Sequence, residues 1–344
     1  MSDLSRQESS QRPCAAMFVA SRHFWFMAAA ITIALLPQIF PSAYWRTNLI
    51  VCAINVLLAI GLDFVVGYAG QLNIGQSAFY GIGAYASTLL IMKLALPFWV
   101  AFALGVMISG IAGALLSGFA VRLRGHYLAI ASLGFAVITY QILLNWISLT
   151  QGPLGIYAIA APPSITLPGL PRIVFTNLAS MFYLTAGFAL LTYFILDRLV
   201  HSPIGETLTA IREDELSAAS LGIDGPKWKA FAFAVSSAVA GAAGCFYASF
   251  VGTLVPDAFF ITESFNILAM VIVGGMGTLI GPVFGAILLT MLPELLRGIG
   301  DLRLIVYGAS LTLVVLFMPG GLLQATRLVA RRAFRSSAKL EQRP

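Results

Sequence analysis

Charge is scarce in this chain. Only 20 basic and 14 acidic side chains are spread over 344 residues, 10% of the total, where a soluble domain carries roughly a quarter. That excludes an ordinary water-soluble globule. Cysteine is almost missing: Cys14, Cys52 and Cys245 are scattered, with no C-x-x-C pair, so neither a disulfide framework nor a thiolate metal site is expected. The three histidines, His23, His126 and His201, lie far apart and none sits at metal-ligand spacing from acids or cysteines. No G-x-x-x-x-G-K-[ST] stretch exists, so the chain does not cradle a nucleotide in a P-loop. No nucleophile–base arrangement stands out. The expectation is a chain that is not an enzyme, with no cofactor and no metal.

What is present is oil. Hydrophobic residues make up 59%, and charge-free runs cover 24–45, 64–92, 94–121, 127–171, 173–196, 230–256, 264–293 and 304–326. A helix needs roughly 20 apolar residues to cross the hydrocarbon, and several runs meet that length. Barrels show alternation in segments of about 10 residues instead. The expected fold is all-α, a polytopic membrane helical bundle. Spans are expected near 24–44, 49–66, 72–92, 96–121, 127–147, 178–196 and 230–254, then a region 264–296, then a last span near 303–318. The loop 148–177 is rich in Pro and Gly with one charge, Arg172, and is expected to fold back on the membrane surface or over a pore mouth. Three parts follow: an N-terminal tail 1–22 leading into an uncleaved first span, a transmembrane domain 23–320 and a basic C-terminal tail 321–344.

The positive-inside rule orients these spans. The tail residues Arg327, Arg331, Arg332, Arg335, Lys339 and Arg343 face only Glu341, so both termini are expected in the cytoplasm. That parity fails if 264–293 is one straight helix, and 30 residues would give about 45 Å against a core of about 30 Å. Its middle reads GGMGTLIGP. A broken or re-entrant segment near 274–282 solves both problems and gives about 9–10 membrane segments. Irregular backbone at membrane depth survives only under protein or beside a water-filled cavity, so Gly275, Gly277 and Gly281 are candidate residues of a translocation path. The stretch 67–85 adds Gln71, Asn73, Gln76 and Ser77 at a span entrance, and an inverted repeat of the two glycine-rich stretches is a weaker reading.

Small residues recur at helical spacing as Gly277/Gly281/Gly285, Gly244/Ala248/Gly252 and Gly110/Ala114/Gly118, faces that let helix backbones approach. Intrachain packing is preferred for the last two; for the first, packing and a pore-lining or partner-helix role stay open. Asp63 sits near the inner end of its span and is expected as an interfacial, solvated carboxylate. No chain of acids crosses the midplane, which counts against an ion-coupled secondary carrier.

Residues 197–229 are the exception to the oil, with ten of the charged residues. Ser202 followed by Pro203 is a helix start, and Ile204, Leu208 and Ile211 share a face. Asp214 can cap a second short helix that Gly222 ends. Two amphipathic helices with a charged elbow, Arg212-Glu213-Asp214-Glu215, suit docking into a groove of a soluble partner. A solvated connector is the plainer alternative.

Five segments, GYAGQLNIGQSAFYGIGAY (67–85), LRGHYLAIASLGF (123–135), QGPLGI (151–156), SPIGETLTAIREDELSAASLGID (202–224) and NILAMVIVGGMGTLIGPVFGAILLTMLPELLR (266–297), carry a resemblance. Together they resemble, in order, the permease subunits of high-affinity branched-chain amino acid ABC importers, the LivH/LivM family, and its LivM branch more closely. The resemblance implies a bacterial inner-membrane subunit that translocates branched-chain or related amino acids. It implies a second homologous permease, two cytoplasmic ATP-binding subunits and a soluble solute-binding protein as partners. It makes 198–229 the loop coupled to the ATPases, with Ser202, Glu206, Arg212, Glu213, Asp214, Glu215 and Gly222 as its matching positions. The chain departs from the wider importer pattern E-A-A-x-x-x-G, reading Leu216-Ser217-Ala218 before Gly222, and has Gln76 where relatives often carry histidine. Urea or short amides are therefore alternative solutes.

Overall fold

A computed structural model describes residues 33, 35–39, 42–120, 126–159, 161–164 and 177–300, with isolated positions 305–306, 308–309, 312, 316 and 321. Most of the expected first span, the expected last span and both tails lie outside the described residues.

The apolar runs fold as helices. They are α1 (Ala43–Asp63), α2 (Gln76–Leu94), α3 (Phe98–Ala120), α4 (His126–Asn145), α5 (Leu178–Val200), the short α6 (Pro203–Glu213) and α7 (Glu215–Ser220), then α8 (Gly225–Val251), α9 (Ile261–Gly274) and α10 (Ile280–Leu295). Among the described residues the only strands are β1 (Ile156–Tyr157) and β2 (Thr253–Leu254), paired antiparallel. Seven helices among the described residues, with their flanking turns, are long and apolar enough to cross a membrane. The fold is a polytopic helical bundle, as composition requires. α2 falls short of that apolarity because Gln76, Ser77, Ser87 and Thr88 lie along it.

α8 is the axis of the bundle and packs most extensively on α3 and α2. Lipid tails give no hydrophobic drive between helices, so close backbone approach and interhelical hydrogen bonds hold them. A side chain at Gly244 would meet the Tyr80 carbonyl at 2.1 Å. Ser109 Oγ on α3 lies 2.7 Å from the Ser237 carbonyl of α8 and 3.0 Å from the Phe79 carbonyl of α2. Intrachain packing thus accounts for Gly110 and Gly244, whereas Gly118 and Gly252, at the far ends of their ladders, face nothing within 4 Å.

The region 264–296 is broken, between Gly274 and Ile280. The arms are helices of 14 and 16 residues, about 21 and 24 Å at the helical rise, and each with its flanking 3₁₀ turn makes a 19-residue stretch long and apolar enough to cross a membrane. The arms pack through α10: a side chain at Gly285 would meet the Met270 carbonyl at 1.9 Å. Gly277, expected on the same ladder, instead sits in the turn with φ 74°. Chain parity places that turn, the residues after α1 and the α6–α7 elbow at one end of the bundle. At the other end the β1–β2 bridge and the Ile159 N–H donated to the Gly252 carbonyl (3.1 Å) tie the start of the 148–177 loop to the exit of α8. Residues 165–176 of that loop lie outside the described residues.

Candidate functional site: the polar elbow and the two helix breaks

The elbow is built by local rules. Ser202 is extended and its Oγ accepts from the Ile204 N–H at 3.2 Å, with Pro203 in the first helical position. Leu208 and Ile211 are 0% and 4% exposed, so the apolar face of α6 is turned into the bundle. Asp214 ends α6 and begins α7: Oδ1 accepts from the Leu216 N–H at 2.9 Å and Oδ2 from the Ser217 hydroxyl at 2.6 Å. Those bonds favour the ionised form, first the Ser217 hydroxyl and then the backbone amides, and hold Asp214 below the usual carboxylate range. α7 closes with the Ile223 N–H donated to Ala218 and the Gly222 N–H to Ala219, and Gly222 takes φ 83°. This paired pattern needs a left-handed residue after the cap, which glycine adopts without a Cβ penalty. Asp224 caps α8 and pairs with Lys227 at 2.9 Å; the Lys227 side chain is the main cause of its lowered pKa.

The charged residues divide by direction. Glu206, Glu213 and Asp214 are exposed, beside Leu216 and Leu221, which are 71% and 80% exposed. Thr207, Ile223, Asp224, Trp228 and Phe231 line a shallow open groove next to them. Glu215 instead turns back to Lys229 on α8, Oε1 to Nζ 2.7 Å, with the Lys229 side chain only 6% exposed. Arg212, an exposed residue, lays its stem against Gly70 and donates from Nη1 to the carbonyl of Gly67. Of the seven elbow residues picked from sequence, these two point into the protein.

Asp63 departs from expectation. It is 0% exposed, not solvated. α1 does not stop at Asp63 but widens into a π-helical turn, Phe64–Tyr68, and the turn between α9 and α10 covers the carboxylate, Oδ1 accepting from the Gly277 N–H at 2.8 Å.

The path candidates form an interior polar seam. Asn73, Gln76 and Ser77 are each 0% exposed. Asn73 Nδ2 donates to Gln76 Oε1 (3.0 Å), the Gly75 N–H to Asn73 Oδ1 (2.8 Å) and the Ile74 N–H to Ser132 Oγ (2.9 Å). Ser264 Oγ donates to Ser77 Oγ at 2.8 Å and Ser236 Oγ to Gln76 Oε1 at 3.4 Å. Gln76 Nε2 is buried with no partner among the described residues. Gln71 stands apart, half-buried and bonded to the Ala69 carbonyl at 3.2 Å. Gly275 and Gly281 belong to the α9–α10 turn, where Gly281 packs on the carbonyls of Gly274 and Gly275. Ser132, Ser236 and Ser264 were not singled out in the sequence, since single serines in apolar runs give no local signal.

A family model described as branched-chain amino acid transport system / permease component matches residues 46–316. The high-affinity branched-chain amino acid transport system permease protein LivM of Salmonella typhimurium is 36% identical over 299 residues, 80% of this chain and 68% of that protein. LivM of Escherichia coli is 35% identical with the same coverage. LivH of Escherichia coli is 26% identical over 280 residues, 78% of this chain and 90% of that protein. No solved structure matches. These relatives are transport permease subunits and not enzymes. The chain belongs to the family of branched-chain amino acid transport permease components, multi-pass membrane subunits that work with the other components of ABC importers.

Proposed function

We propose that this chain is one of two related permeases of an inner-membrane importer for branched-chain or similar amino acids, with domain 23–320 as the permease and both tails in the cytoplasm. A soluble binding protein delivers the solute at the β1–β2 end. Two cytoplasmic ATP-hydrolysing subunits grip the elbow at the other. One observation carries the reading: a rigidly capped polar elbow presents two exposed leucines, Leu216 and Leu221, beside the acids Glu206, Glu213 and Asp214. Exposed leucines flanked by charge fit a protein groove better than water. The relatives named LivM and LivH support the solute class. The seam at Asn73, Gln76 and Ser77 is the place where a path opens when the bundle rocks: a buried amide donor without a partner costs about 1–3 kcal/mol, and the unpaired Gln76 Nε2 is free to meet a carboxylate.

The test is uptake into vesicles that hold this chain, the partner permease and the ATPases, with the binding protein outside. Leucine, isoleucine or valine accumulates only with internal ATP, and unlabelled urea or acetamide does not compete. Uptake that follows an ion gradient without ATP refutes the reading, and competition by the amides moves the solute class to short amides.

A further inference from the structure

We propose that Arg212 and Asp63 are positioning residues that deliver movement of the elbow to both helix breaks at once. The inference rests on the reading that the elbow is gripped by the ATPases. Arg212 holds the carbonyl of Gly67 in the π-helical turn after α1, and Asp63, four residues earlier, holds the amide of Gly277 in the α9–α10 turn. The four residues form one contact. A side chain at Gly67 would lie 2.2 Å from Asp63 Oδ1 and 2.4 Å from the Gly277 nitrogen, and one at Gly277 would lie 3.0 Å from Arg212 Nη1. Gly70, at φ 66°, lets the Arg212 stem lie against the backbone, where a side chain would come within 2.8 Å of Cγ.

The chemistry suits a strut. The last carbonyls of a helix have no partner in the helix, and a cation there is favoured by the helix dipole. Arg212 supplies that cation from another element. π-Helical turns are rare and occur frequently at functional sites. α1 widens at the point that Arg212 grips. The α9–α10 turn is closed by the Gly275 N–H on the Val271 carbonyl and the Gly281 N–H on the Thr278 carbonyl, both 2.9 Å, and Asp63 fixes the Gly277 amide between them to the same point. Three elements far apart in sequence therefore share one fulcrum under α6.

The experiment compares Arg212→Ala, Arg212→Lys and Asp63→Asn in the whole complex, read by co-purification of the ATPase subunits and by solute taken up per ATP hydrolysed. All three keep the ATPases bound. The uptake-to-ATP ratio falls about tenfold in Arg212→Ala, the factor a lost charge-assisted hydrogen bond corresponds to. It recovers partly in Arg212→Lys, which keeps the charge but not the fork. A merely structural role lowers uptake and hydrolysis together and leaves the ratio alone, which overturns the proposal, as does loss of the ATPases from Arg212→Ala, because Arg212 then belongs to the docking surface. Where Arg212→Ala does not fold, the ratio in Arg212→Lys and Asp63→Asn decides. If the native complex carries no ATPase, it is the importer reading that fails.

Discussion

The ion pair between Glu215 and Lys229 sets the rigidity of the elbow, and its worth can be estimated. The two charges lie 2.7 Å apart, with the side chains 30% and 6% exposed. At an effective dielectric of about 20 their gross attraction is about 6 kcal/mol. Desolvation removes much of that, and loss of one partner from a fully buried pair costs about 3–5 kcal/mol because the other charge is stranded. Glu215 is a third exposed and part of the loss is screened by water, so about 2–3 kcal/mol is expected for Glu215→Ala, between the buried range and the surface value of about 1 kcal/mol. The cost falls on the elbow, since Glu215 is the first residue of α7 and Lys229 sits in α8. Limited proteolysis of the purified protein should show the segment 203–224 opening about 30–160-fold more readily, the factor that 2–3 kcal/mol corresponds to. Glu215→Lys should be worse, and the swap Glu215→Lys with Lys229→Glu should recover most of the protection. Glu213→Lys, one residue away but exposed, should leave proteolysis unchanged and release the ATPases. Equal protease sensitivity in Glu213→Lys and Glu215→Lys, or no recovery in the swap, would show that the pair is not what holds the elbow.

Two further outcomes test the docking face and its cap. Leu216→Asp with Leu221→Asp removes two side chains each worth about 1.5–3 kcal/mol when fully covered; ATPase co-purification should be lost while thermal stability in detergent stays within about 0.5 kcal/mol of native. Asp214 has a folded pKa below its ordinary value, so its cap is fully present above about pH 3.9 and disappears as pH falls through the lowered value. Protease protection of the elbow should therefore be flat across the neutral range, and Asp214→Asn, which caps comparably without titrating, should lose less protection than native below about pH 4.

The bundle was legible in the sequence because the membrane enforces it. Apolar runs near 20 residues point to crossing helices, and the GGMGTLIGP break betrayed itself by length and parity. The elbow was legible because its signals are local: Ser202 before Pro203, Asp214 before α7, Gly222 after it, all within a few residues of the groups they satisfy. The contacts that connect the elbow to the bundle were not. Arg212 and Gly67 are 145 positions apart, and Asp63 and Gly277 are 214 apart; no periodicity links such positions. Asp63 misled for a specific reason. Distance along α1 put it near the water, but the π-helical turn and the α9–α10 turn lie over it. Lys229 carries no local sign of burial in the sequence, yet it is buried because Glu215 supplies its counter-charge.

The direction of each charge bears on how the elbow transmits force. A loop that only carried docking residues could swing on its flanks and dissipate any pull. Here Leu208, Ile211 and Ala218 are buried, and each of the two larger side chains contributes about 1.5–3 kcal/mol on burial. The Glu215–Lys229 pair fastens α7 to the first turns of α8, and Arg212 fastens α6 to the end of α1. Detaching the elbow therefore breaks several independent contacts together, whereas tilting α8 and the α1 break with it breaks none of them. The lower-cost response to a pull on Glu213, Leu216 or Leu221 is a rigid displacement. That displacement acts on α8, the helix on which α2 and α3 pack, and its lower turns carry Ser236, which closes the polar seam onto Gln76. On the proposed reading, movement at the elbow and opening at the seam are linked through one helix, which carries both Lys229 and Ser236.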